Sequence, residues 1–151
     1  LIGKEPKSVS VNSTCILQKK IADTATIYLE FENGLKSHIS VSWLNPYKEQ
    51  KLVVVGKSAM LVFDDTKSWS EKLAFYSYKI EHYNNLPILK KLNEDYIKVN
   101  EEEPLKNECQ HFIDVVEGDL KPHTNGAEGL KVLKVLSAAS LAKEKKEVIK
   151  L

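Results

Sequence analysis

The chain has 151 residues, 42% hydrophobic and 28% charged, a length and balance that fit one soluble globular domain able to bury roughly two thirds of its unfolded surface. Its 22 basic residues are all lysine and nearly cancel 21 acidic ones, for a net charge of +1. With no arginine and no basic stripe, the pattern argues against a nucleic-acid partner. No apolar run approaches the roughly 20 residues a bilayer span needs, which argues against a membrane role.

The opening LIGKEPKSVS has neither the apolar core nor the small-residue cleavage site of a secretory signal, and it reads like the middle of a longer protein. Val9 and Val11 begin an alternating pattern, and residues 25–31 continue one in which Ile27, Leu29 and Phe31 share a face. Asn33-Gly34 has the composition of a type I′ turn, so residues 35–43 are expected to return as the second arm of a hairpin. Residues 51–55, 59–63 and 73–78 read as further strands punctuated around Gly56. Five or six antiparallel strands result. Asn84-Asn85 and Pro87 interrupt residues 81–102, within which residues 96–99 form a candidate strand.

Pro104 fits a first helical position, and Leu105, Cys109, Phe112, Ile113 and Val116 recur at helical spacing before Gly118 ends the helix. That stripe calls for a partner layer. Thr124 or Asn125 can cap a second helix, whose Leu130, Leu133, Leu136 and Ala138 or Ala139 form an apolar face. Val148-Ile149 then returns to the sheet. Strands followed by helices, without βαβ alternation, predict an α+β fold: a mostly antiparallel open-faced sheet with helices packed on one face. The other face carries residues such as Trp43, Tyr76 and Tyr78 that want cover, and a second subunit is the natural one. Cys15 and Cys109 fit no metal or redox spacing and are expected as buried thiols in a reducing cytoplasm.

Three stretches carry a family resemblance: LIGKEPKSVSV, residues 25–65 (ATIYLEFENGLKSHISVSWLNPYKEQKLVVVGKSAMLVFDD) and residues 103–139 (EPLKNECQHFIDVVEGDLKPHTNGAEGLKVLKVLSAA). In order and spacing they resemble the C-terminal domain of the Gfo/Idh/MocA oxidoreductases, the relatives of glucose-fructose oxidoreductase and inositol dehydrogenase. SWLNPYKEQ followed by VVVG is similar to the nucleotide-sugar dehydrogenase branch. The resemblance implies that residues 1–151 are one substrate-side and oligomerisation domain of a parent enzyme, whose N-terminal Rossmann domain binds NAD or NADP. It also implies that the family's catalytic Lys, Asp and His lie outside this chain. No catalytic residue is therefore assigned, and no G-x-G-x-x-G cradle for a cofactor occurs. The chain alone is expected to be inactive and to bind no cofactor or metal. The alternative is a stand-alone oligomerisation or ligand-binding module.

Trp43, Asn45, Tyr47 and Lys48 leave a strand end and can offer an aromatic face, an amide and an ammonium to a sugar nucleotide. The competing reading packs Trp43 into the sheet and makes residues 46–47 a turn, and Gln50 stands where relatives often carry a basic residue. His123 precedes a helix N-terminus, where backbone N–H groups attract anions, although capping by Thr124 or Asn125 accounts for the same residues. His111 follows Glu108 by three positions and reads as a metal or acid/base group, or as a locally paired packing residue. Asp64-Asp65 reads as a solvated turn or, less economically, as a metal site.

Overall fold

The computed structural model describes residues 2–151. Its elements run β1 (Ser8–Thr14), β2 (Thr24–Glu30), β3 (Lys36–Ser42), β4 (Lys51–Val55), β5 (Ala59–Asp64) and β6 (Leu73–Tyr83). They continue with β7 (Leu86–Tyr96), helix α1 (Pro104–Glu117), helix α2 (Gly126–Lys145) and β8 (Ile149–Lys150). The α+β expectation holds, and the strands sort into two open antiparallel sheets of four, β3-β2-β1-β8 and β4-β5-β6-β7. Two compact units follow the same division: the chain up to Asn45 with His111–Leu151, and Pro46–Gln110.

In the first unit the alternation predicted from sequence sets the core. Val9 pairs with Leu29 and Val11 with Ile27, so four apolar side chains share one face of the sheet. Val9 is fully buried against Ala138 and Ala139 of α2, with Val135 and Ile149 packed around it. Positions 135, 138, 139 and 142 form one helical stripe, and its alanines admit the β1 backbone closely. The expected leucine face is not the packed one: Leu130, Leu133 and Leu136 are exposed. The last strand, β8, pairs with β1 as expected.

The β2–β3 connection corrects the expected turn. Gly34 alone has positive φ (+77°), and Phe31 N–H donates to the Leu35 carbonyl while Gly34 N–H donates to the Phe31 carbonyl. This is a three-residue loop, a turn followed by one left-handed residue, with the Asn33 side chain accepting from Leu35 N–H.

The second unit holds the two-residue turn instead. Asn84 (φ +50°) and Asn85 (φ +61°) link β6 to β7, so the residues expected to interrupt a strand join two strands of eleven residues. Asparagine tolerates this left-handed conformation better than most residues. Pro87 pairs with His82 on an edge strand, where a missing N–H costs no ladder bond. The strand expected at residues 96–99 is absent: β7 ends at Tyr96, and Ile97 N–H makes one further bond to the Leu73 carbonyl.

Helix α1 begins at Pro104 and ends before Gly118, whose φ of +90° favours glycine. Its stripe, however, is solvent-facing. Leu105, Ile113 and Val116 are exposed, and Phe112 is 69% exposed. The packing role expected for Leu105 and Phe112 is therefore not observed, and Cys109, on the same helix, is an exposed free thiol, as is Cys15.

Candidate functional site

Strand register brings one end of the first unit's sheet into line. Thr14 pairs with Thr24, and Thr24 with Ser42, so the loop leaving β1 and the segment leaving β3 emerge side by side. Asp23 ties them together. Its N–H donates to the Thr14 carbonyl at 2.9 Å, and its carbonyl accepts from Trp43 N–H at 2.8 Å. Its Oδ2 accepts from two successive backbone amides, Ile16 at 2.6 Å and Leu17 at 2.8 Å. A carboxylate that is only 6% exposed needs such partners, because an unpaired charge in that position is costly.

Trp43 is 83% exposed, so its indole does not pack into the sheet. It lines a cleft of about 390 Å³ with Ala22, Asp23, Thr24, Ala25, Val41 and Ser42. The following turn is fixed by Leu44 N–H donating to Ser42 Oγ. An exposed indole offers a flat apolar surface to a planar base or to the CH face of a sugar. No group of three or more His, Cys, Asp or Glu able to hold a metal occurs among the described residues.

The other sequence candidates are not among the residues lining that cleft. Asn45 closes the first unit's N-terminal segment, while Tyr47 and Lys48 belong to the second unit. Tyr47 is exposed. Lys48 is paired with Asp65 at 2.5 Å, and Lys72 reaches the other oxygen of the same carboxylate at 2.7 Å while lying 4.6 Å from the Trp69 ring centroid. Lys48 and then Lys72 pull the Asp65 carboxyl down to about 2. Asp64 is held within its turn by Thr66, whose N–H and hydroxyl both donate to it, and its carboxyl is likewise lowered, chiefly by those bonds. Asp64-Asp65 is thus a partly exposed turn whose carboxylates are hydrogen-bonded and ion-paired.

His123 stacks on His111 with ring centroids 4.2 Å apart, and its backbone N–H donates to His111 Nε2. This contact pins the connector between the helices, and Asn125 caps α2 by accepting from Glu128 N–H. No hydrogen bond, ion pair or ring contact links His123 to Trp43 among the described residues. Asp23 is the residue that sequence reasoning missed. An aspartate before an alternating strand has no local mark, and the amides it serves are six and seven positions away.

The class the fold defines is that of an α+β domain with open antiparallel sheets. Residues 1–62 match the family model described as the GFO/IDH/MocA C-terminal domain, a segment that includes Asp23 and Trp43. In architecture the whole chain is similar to part of several solved oxidoreductase structures. It is similar to UDP-N-acetylglucosamine 3-dehydrogenase GnnA from Acidithiobacillus ferrooxidans, with a TM-score of 0.77 at 17% identity over 95% of this chain and 42% of that one. It is also similar to the WlbA dehydrogenase from Bordetella pertussis in complex with NADH and UDP-GlcNAcA, with a TM-score of 0.66 at 19% identity over 97% and 39%. Aldose-aldose oxidoreductase from Caulobacter crescentus gives a TM-score of 0.70 at 17% identity over 99% and 42%. The chain spans less than half the length of each of these structures. No curated protein matches it. No helix among the described residues is long and apolar enough to cross a membrane.

Proposed function

We propose that residues 1–151 are one substrate-side and oligomerisation domain of an NAD(P)-dependent oxidoreductase acting on a sugar or nucleotide sugar. NAD or NADP would be bound by an N-terminal Rossmann domain outside these residues, in the cytoplasm, and the chain alone would be inactive. The single observation that carries the reading is the exposed Trp43 on the cleft beside Asp23, within the segment that matches the family model. The similar WlbA structure holds NADH and UDP-GlcNAcA, which supports a nucleotide sugar as the ligand class. Trp43 would supply the stacking face and Asn45 an amide. Tyr47, Lys48 and His123 are candidates to be tested by single substitution; Lys48, with its side chain 64% exposed, is free to exchange Asp65 for a diphosphate.

Oligomerisation is supported by apolar side chains left in solvent on the second sheet, among them Val53, Val54, Val55, Ile80 and Leu89. Sedimentation should show a dimer or larger species, and a monodisperse monomer at high concentration would count against this part. The coding sequence upstream of Leu1 tests the parent enzyme directly. A reading frame with G-x-G-x-x-G and Glu-Lys-Pro supports it, and a start codon at that position sinks it in favour of a stand-alone module.

A further inference from the structure

The loop at residues 15–22 is held in a way that its own packing does not explain. Ile16, Leu17 and Ile21 are 62%, 69% and 56% exposed, so the loop adds little to the core around Val9. Yet a buried carboxylate is committed to it, with both N–H groups at its start converging on one oxygen of Asp23. Two successive amides aimed at one anion fix the backbone conformation of both residues. The same Asp23 fixes the first residue beyond β3 through its carbonyl, so one residue sets the position of the loop and of Trp43 together.

Ordering a loop costs conformational entropy, and this loop recovers little of it by burial. Rigidity then serves the surface itself. We infer that Asp23 is a positioning residue: lining the cleft itself, it pre-organises the 15–22 loop, which contributes Ala22 to that lining, together with Trp43, and the cleft receives the ring of a nucleoside-diphosphate sugar. The inference rests on the ligand class proposed above and adds the residue that makes the site rigid before ligand arrives. Pre-organisation raises affinity by removing the ordering cost from the binding step.

The test uses Trp69→Phe, which leaves Trp43 as the only tryptophan in the chain. UDP-N-acetylglucosamine is titrated into the 151-residue protein while Trp43 fluorescence is followed. Saturable quenching is expected in this background. Asp23→Ala should weaken binding by about tenfold or more, whereas Asp23→Asn, which retains an acceptor for the two amides, should stay within about threefold. No Trp43 response in the Trp69→Phe protein would remove the nucleotide-sugar reading and the positioning role with it. A normal response that Asp23→Ala leaves within about twofold would overturn only the positioning role. Equal losses in Asp23→Ala and Asp23→Asn would overturn it too, because the conservative variant has to rescue. Should Asp23→Ala fail to fold, Leu17→Pro deletes one donor at an exposed position; it should weaken binding with the unliganded Trp43 emission unchanged, and an unaltered affinity would sink the inference.

Discussion

The two compact units are built on different physics. In the first, a helix lies on a sheet and Val9, Phe31, Ala138, Ala139 and Ala142 leave the solvent. In the second, Ala74 is the one described residue that is buried, and the sheet is tied by ladder hydrogen bonds and by ion pairs such as Lys48–Asp65–Lys72 and Lys51–Asp64. Hydrogen bonds and surface ion pairs each add little net stability, since water competes for both. The second unit therefore gains most from cover by another surface, which is the physical content of the oligomerisation proposal. Its exposed valines and leucines are the surface that the oligomerisation proposal would cover.

The largest effect should fall in the first unit. Val9→Ala removes two methyl groups from a fully buried position, at a cost of about 2 kcal/mol, or about 4–8 °C in Tm for a chain of this size. Ile88→Ala in the second unit, at a half-exposed position, should stay within about 0.5 kcal/mol in the unassembled protein. Parallel thermal melts decide it. Equal losses at the two positions would show that the units share one core and would break the contrast.

A smaller effect separates the two hairpins. Gly34 has a φ of +77° with open space around it, so Gly34→Ala meets backbone strain without a clash, at roughly 1 kcal/mol. Asn85 has a φ of +61°, and Asn85→Gly should be neutral to slightly stabilising, because glycine adopts this conformation at no steric cost. Chemical denaturation of both variants measures the pair. A stabilised Gly34→Ala would contradict the turn geometry described for β2–β3.

Much of this was legible in the chain because strands write their pairing in a period of two. Val9, Val11, Ile27 and Leu29 fell on one face as their alternation required, and Pro104 and Gly118 bounded α1 as punctuation. What was misread had local signals with two meanings. Asn33-Gly34 fits both a two-residue and a three-residue loop, and ladder register chooses between them. Asn84-Asn85 breaks a strand or turns a hairpin depending on whether β7 finds β6. The stripe of α1 showed amphipathicity, which is a property of one helix, whereas burial is a property of two surfaces. On α2 small side chains won over leucine because close approach to β1 matters more than side-chain size. In the site, Trp43 was visible as an aromatic at a strand end, and Asp23 was not, since its role rests on amides that only the folded loop delivers.

The smallest effect isolates the electrostatic part of the second unit. Asp65 is lowered from 3.8 to about 2, first by Lys48 and then by Lys72. A carboxylate whose folded value lies below its unfolded one stabilises the fold fully above the unfolded value, and that contribution is lost as pH falls from about 4 towards 2. Lys72 is held twice, at the Asp65 carbonyl at 3.1 Å and at the carboxylate, and is mostly sheltered, while Lys48 is mostly in solvent. Salt should therefore screen the Lys48 contribution far more than that of Lys72. Carboxyl-carbon NMR should place Asp65 near 2 at low salt and higher in molar salt, with Lys48→Met removing most of the salt dependence and Lys72→Met leaving it in place. Amide protection at Val9 should stay constant while the amide of Asp65, bonded to the Gln50 carbonyl, exchanges faster across the same pH interval after correction for intrinsic rates. A parallel loss of protection at Val9 would mean that the acid-sensitive turn and the apolar core open as one unit, and the division between burial and charge would fail.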